Sequence, residues 1–187
     1  FDGAGGDAVI QNITNMDPQS LDESIKKMVE NIKQSQIIMI PGGFSGGDEP
    51  DGSAKFITAV FRNPAVSEAV ADLLENRDGL MLGICNGFQA LIKLGLVPYG
   101  KITDMKDDSA TLTYNSIGRH ASCLVHTRVA SVKSPWMAAN EVGDIHVVPV
   151  SHGEGRFIAS DELIAQLAAN GQIATQYVDP DGVPTSD

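Results

Sequence analysis

Residues 79–89 read GLMLGICNGFQ, an uncharged apolar run that ends at a cysteine set between Gly83 and Gly87. The first six residues suit a buried strand and are too few for a core helix. Asn86 to Leu94 then has helical character and stops at Gly95, a residue suited to a helix C-terminus. A strand that turns into a helix at one residue lifts that side chain above the sheet edge. Such an elbow needs small residues two positions before and two positions after it. Gly83 and Gly87 occupy those positions about Cys85. The helix N-terminus favours negative charge on the sulfur, and its free amides, chiefly that of Asn86, can hold an oxyanion. The competing reading is a small buried hydrophobe, a common fate of free cysteine. A packed core needs neither glycine, so the spacing predicts a nucleophile at Cys85. Cys123, inside an alternating segment, reads as structural.

Working outward, QIIMI (36–40) is a second short apolar strand, broken at once by PGGFSGGDEPDG (41–52). Glycines there let backbone N–H groups approach a ligand closely, and the amide near Gly43 is a candidate second oxyanion donor. An ordinary glycine-rich turn is the plain alternative. A phosphate cradle is the weaker one, because the GK[ST] ending of a P-loop is missing. Asn63 and Pro64 read as N-cap and first residue of a helix to about Glu75, with Ala65, Val66, Ala69, Val70 and Leu73 inward. Ser20 and Glu23 read as a capping box, followed by Leu21, Ile25, Met28, Val29 and Ile32 at helical spacing. Asp7 to Ile13 reads as a short strand. Downstream, ATLTY (110–114), ASCLVHTRVASV (121–132) and DIHVVPV (144–150) have β character, Ser160 to Ala169 is helical, and QIATQYV (172–178) is a last strand. Apolar strands alternating with helices predict an α/β fold: three layers, a mostly parallel sheet with helices on both faces. Sites in such folds lie at the carboxyl ends of strands, where the loops 41–52 and 85–87 fall.

The 187 residues carry a net charge of −11, which argues against nucleic acid or an anionic membrane as main partner. Two cysteines give no disulfide framework and suggest a reducing compartment. No apolar run approaches the roughly 20 residues of a membrane helix, so the expected location is cytoplasmic. No cluster of ligating residues suggests a metal. Both ends read as cut, and residues 1–187 are expected to be part of a larger domain or polypeptide.

GICNGFQALIKLGLVPYG (83–100) and IPGGFSGGDEPDG (40–52), with YNSIGRHAS (114–122) and SHGEGRF (151–157), resemble the class I glutamine amidotransferase domain of phosphoribosylformylglycinamidine synthase. The resemblance covers nearly the whole chain. It implies a flavodoxin-like α/β fold and a glutaminase that supplies ammonia for purine biosynthesis. Cys85 would attack the glutamine carboxamide and form a thioester, with the Gly43 and Asn86 amides as oxyanion donors. Gln89 would help hold the substrate, and its i+4 position places it on the Cys85 face; a surface or packing glutamine is the alternative. The partner implied is a synthase domain in the same chain or complex. ATP and Mg would belong to that synthase part, with no cofactor in this domain.

A cysteine nucleophile needs a base, usually a histidine oriented by a carboxylate. Of His120, His126, His146 and His152, only His152 has a carboxylate at suitable short range, Glu154. In an extended segment the two would face the same side. The resemblance instead implies a His-x-Glu pair in a later motif, expected beyond Asp187. Both assignments stay open at this point. Two rival functions also stand: a catalytically silent docking or regulatory domain, and a stand-alone cysteine hydrolase of the same superfold.

Overall fold

The computed structural model describes residues 1–43 and 54–185. The chain divides into two units, Phe1–Met105 and Lys106–Asp187.

In the first unit the elements run α1 (Pro18–Gln34), β1 (Ile37–Ile40), α2 (Lys55–Phe61), α3 (Pro64–Glu75), β2 (Leu80–Gly83), α4 (Asn86–Leu94) and the single turn α5 (Leu96–Tyr99). β1 and β2 pair in parallel, with Ile37 opposite Leu80 and Ile40 opposite Gly83. Helices α1 to α4 bury one core, built on Met28, Ile32, Phe61, Val66, Val70, Leu91 and Leu94 around Ile40.

Helix boundaries follow local chemistry. Asn63 accepts a hydrogen bond from the Ala65 amide, and Pro64, whose missing N–H costs nothing in a first turn, opens α3. Val66, Ala69, Val70 and Leu73 are buried as expected, whereas Ala65 is exposed. α1 begins one turn earlier than the Ser20/Glu23 reading. Its N-cap is Asp17, whose carboxylate accepts from the Ser20 amide while the Ser20 hydroxyl accepts from the Asp17 amide. The Ser20 amide bond holds the Asp17 carboxyl below its ordinary pKa. Asp17–Pro18 is the stronger start signal because Pro18 brings a preset φ. The strand expected at Asp7–Ile13 does not form. Val9 and Ile10 are exposed, and among the described residues no strand edge pairs with them.

The second unit holds β3 (Thr111–Tyr114), β4 (Ala121–Val129), β5 (Ile145–His152), β6 (Glu154–Ile158), α6 (Asp161–Ala169) and β7 (Thr175–Val178). β4 is the centre of a three-stranded antiparallel sheet in the order β5-β4-β7, and β3 pairs antiparallel with β6. The fold is therefore mixed α/β with small sheets. A mostly parallel sheet is not what the described strands form: one pairing is parallel and the other three are antiparallel. The reason lies in the pattern. Cys123-Leu124-Val125-His126-Thr127-Arg128 mixes apolar and polar residues, as suits a sheet with a solvated face, unlike the continuous apolar runs of β1 and β2.

Arg77 joins α3 to the end of α1. Its Nε donates to Asp72 at 2.8 Å, and its terminal nitrogens donate to the carbonyls of Ile32, Lys33 and Ser35 at 2.9, 3.0 and 2.9 Å. These are carbonyls at the C-terminal end of a helix, where intrahelical partners run out. Arg77→Met should lower unfolding free energy by about 1–2 kcal/mol in a denaturant titration, given the worth of charge-assisted bonds to half-exposed carbonyls. Arg77→Lys should recover less than half of that loss, because one ammonium lacks the planar fork.

Candidate functional site

β2 delivers the chain to Ile84, whose N–H still bonds to the Ile40 carbonyl at 3.0 Å. The next residue breaks the ladder. Cys85 has φ 53° and ψ −111°, a positive-φ backbone conformation that a residue with a Cβ adopts only under strain. It is the N-cap of α4, and its carbonyl accepts the Gln89 amide at 3.1 Å. The Gly87 amide closes the turn onto the Ile84 carbonyl at 2.8 Å. Cys85 is exposed, so the sulfur stands at the surface of the turn and not in the core.

Both flanking glycines are required by close backbone approach. A Cβ on Gly83 would lie 2.6 Å from the Gly87 carbonyl oxygen and 2.8 Å from a Leu91 methyl. A Cβ on Gly87 would overlap the Ile40 carbonyl. The end of β1 and the first turn of α4 thus touch through main chain alone.

The loop after β1 enters the same place. A Cβ built on Gly42 would sit 3.0 Å from the Cys85 Cβ and 3.8 Å from its Sγ. Standard backbone dimensions then put the Gly43 N–H within about 7.5 Å of the sulfur. Gly43 has φ 133°, a conformation open to glycine. The Pro41–Gly43 segment lies beside Cys85, as its position after a parallel neighbour strand implies. The rest of the glycine-rich loop, 44–52, lies outside the described residues. Asn86 and Gln89 occupy the first and fourth positions of α4, both half-buried. The far end of α4 is fixed by Arg62, which donates to the Lys93 carbonyl at 2.8 Å and pairs with Asp104 at 3.2 Å.

His152 and Glu154 belong to the second unit and fall on different strands. His152 ends β5 opposite Ala121 of β4, while Glu154 opens β6 opposite Tyr114 of β3, with the bend at Gly153 between them. The extended geometry that would point them together is broken there. The imidazole Nδ1 of His152 meets the Asn115 Oδ1 at 2.9 Å instead. His120 Nε2 meets the Ser151 hydroxyl and His146 Nε2 meets the Asn140 Oδ1, each at 2.9 Å, while His126 lies on β4. Cys123 is exposed on β4. Among the described residues no group of three or more His, Cys, Asp or Glu is placed to hold a metal ion. Among them, too, no helix is long and apolar enough to cross a membrane. The loop that begins at Gly42 was legible in the PGG run; Asn115 is the residue that sequence reasoning missed, since it stands 37 positions from His152 and carried no local signal.

Two substitutions test the elbow. Gly87→Ala should cost about 3 kcal/mol or more of stability, since its neighbour is backbone that cannot step aside. Cys85→Gly should do the reverse and raise stability by about 1 kcal/mol, because the strain of a Cβ at positive φ is removed. Thermal or denaturant unfolding of the two variants measures both.

The family model of the CobB/CobQ-like glutamine amidotransferase domain matches residues 1–187. The phosphoribosylformylglycinamidine synthase subunit PurQ of Acaryochloris marina is 34% identical over 160 residues, covering 84% of this chain and 60% of that protein. The subunit of the same name from Synechococcus elongatus is 37% identical over 150 residues, covering 78% of this chain and 59% of that one. Among solved structures, PurLQS from Thermotoga maritima superposes with a TM-score of 0.55 at 29% identity, covering 77% of this chain and 56% of that chain. The chain thus spans about 60% of the length of these curated relatives. With the elbow at Cys85 and a family match that runs from end to end, the chain belongs to the CobB/CobQ-like glutamine amidotransferase domain family.

Proposed function

We propose that this chain is the glutaminase part of a phosphoribosylformylglycinamidine synthase, generating ammonia from glutamine for purine biosynthesis in the cytoplasm. The observation that carries the reading is Cys85 at φ 53°, exposed, at the start of α4, with Gly42 against it. Strain of this kind is kept where chemistry needs it, which weighs against a silent docking domain. The PurQ relatives favour ammonia delivery over a stand-alone hydrolase. The three-layer, flavodoxin-like arrangement belongs to the same proposal, with β1 and β2 as its parallel strands.

In this reading the Cys85 thiolate attacks the carboxamide carbon of glutamine. The tetrahedral oxyanion forms beside the Gly43 and Asn86 amides, which stabilise charge that develops only in the transition state. Collapse expels ammonia and leaves a glutamyl thioester; water then cleaves the thioester to glutamate. Gln89 holds the substrate on the same helix face. A base takes the thiol proton and later returns one to the leaving nitrogen. The family pattern assigns that base to a His-x-Glu pair expected beyond Asp187, and within the present sequence His152, held by Asn115, is the candidate. The ammonia acceptor is a synthase part in the same chain or complex, which would bind ATP and Mg.

A glutamine-mimicking diazo-ketone should label Cys85 in the complete protein and leave Cys123 unmodified. Cys85→Ala should lower glutamine-dependent synthesis at least about a thousandfold, the scale on which nucleophile removal acts. Ammonia-dependent synthesis by the complete enzyme should survive. Mass-spectrometric mapping of the label and the paired assays decide it: label on Cys123 alone, or equal loss with both nitrogen sources, overturns the assignment.

A further inference from the structure

The HGEG stretch (152–155) has a purpose that the nucleophile does not explain, and its geometry identifies one. The Asn115 amide nitrogen donates to two backbone carbonyls, Arg119 at 3.1 Å and His152 at 2.8 Å. Carbonyls only accept, so the NH₂ end of the amide must face them. Oδ1 is then left facing the His152 ring, 2.9 Å from Nδ1. That oxygen is also only an acceptor, so Nδ1 must carry the proton. A neutral ring with its proton on Nδ1 has a lone pair on Nε2. The Asn115 amide also donates from its backbone to the Gly153 carbonyl at 2.9 Å, which ties the bend itself to the same residue. Gly155 completes the arrangement: a Cβ there would overlap the imidazole.

We infer that Asn115 is a positioning residue for His152, fixing the Nδ1–H tautomer so that Nε2 meets its partner as a hydrogen-bond and proton acceptor. Gly155 is the space that this ring placement requires. The inference deepens the glutaminase reading and rests on it only for the identity of the donor, an amide or ammonium group of the substrate. How the ring is held does not depend on that reading.

Ring-nitrogen NMR of the complete protein, labelled with ¹⁵N-histidine and held near about pH 8.5 where an imidazole is neutral, reads the tautomer directly. The native His152 should show Nδ1 protonated and Nε2 bare. Asn115→Leu should lower the ratio of the Nδ1–H to the Nε2–H form at least about fivefold, the equivalent of one ordinary hydrogen bond. Gly155→Ala should reproduce the loss from the opposite side of the ring, and decides the matter if Asn115→Leu does not fold. A native His152 protonated on Nε2, or a ratio unchanged in Asn115→Leu and in Gly155→Ala, overturns the inference. His152→Ala in a glutaminase assay separates the two claims. Full activity there removes His152 as the base and leaves the tautomer result intact.

Discussion

The first unit turns on two missing Cβ atoms. Because residue 87 has no side chain, the first turn of α4 closes directly onto the carbonyl of Ile40, the last residue of β1. Because residue 83 has none, the end of β2 tucks under the same turn. A methyl group at either point would force helix and strands apart. The distance between strand ends and helix start then sets everything nearby. It forces the second of the two linking residues, Cys85, through a backbone turn that ordinary residues avoid, and it brings the loop after β1 to the sulfur. Burial of Leu91 and Leu94 against Phe61 and Val66 supplies the attraction that holds this arrangement closed.

Much of that was written locally. The G-x-C-x-G spacing located the elbow, Asn63–Pro64 the start of α3, and Gly95, at φ 82°, the end of α4. Each works through its own neighbours within four residues, so a sequence shows it. Helix α2 had no such mark. It begins at Ala54, in a left-handed conformation with no side-chain cap, so the boundary carried no chemical signature. The antiparallel sheets were misjudged for a different reason. Strand direction is set by which segments meet, and the alternation in β4 spoke only of a solvated face. Asp7–Ile13 failed in the same way, since a β-prone segment becomes a strand only where an edge receives it.

The candidate site divides along the same line. Cys85, Asn86 and Gln89 share one helix turn and its cap, and Gly43 follows the neighbouring strand, so their places in the fold were legible in spacing. His152 looked paired with Glu154 because they are two positions apart. The bend at Gly153 sends them to different strands, and a residue far away in sequence takes the imidazole. Short-range spacing is a good guide within one element and a poor one across a bend. The bidentate use of Asn115, bonded to both the ring and the backbone of the bend, makes ring orientation and loop shape a single degree of freedom.

One wall beside the sulfur deserves a different description. Among the described residues Gly42 faces Cys85, and it presents peptide groups with no side chain of its own projecting from them. Peptide dipoles do not gain or lose protons over the range in which proteins stay folded. That wall therefore offers a molecule the same polarity in acid and in base, and at low and high ionic strength. The selectivity of this side is a matter of outline and hydrogen-bond direction.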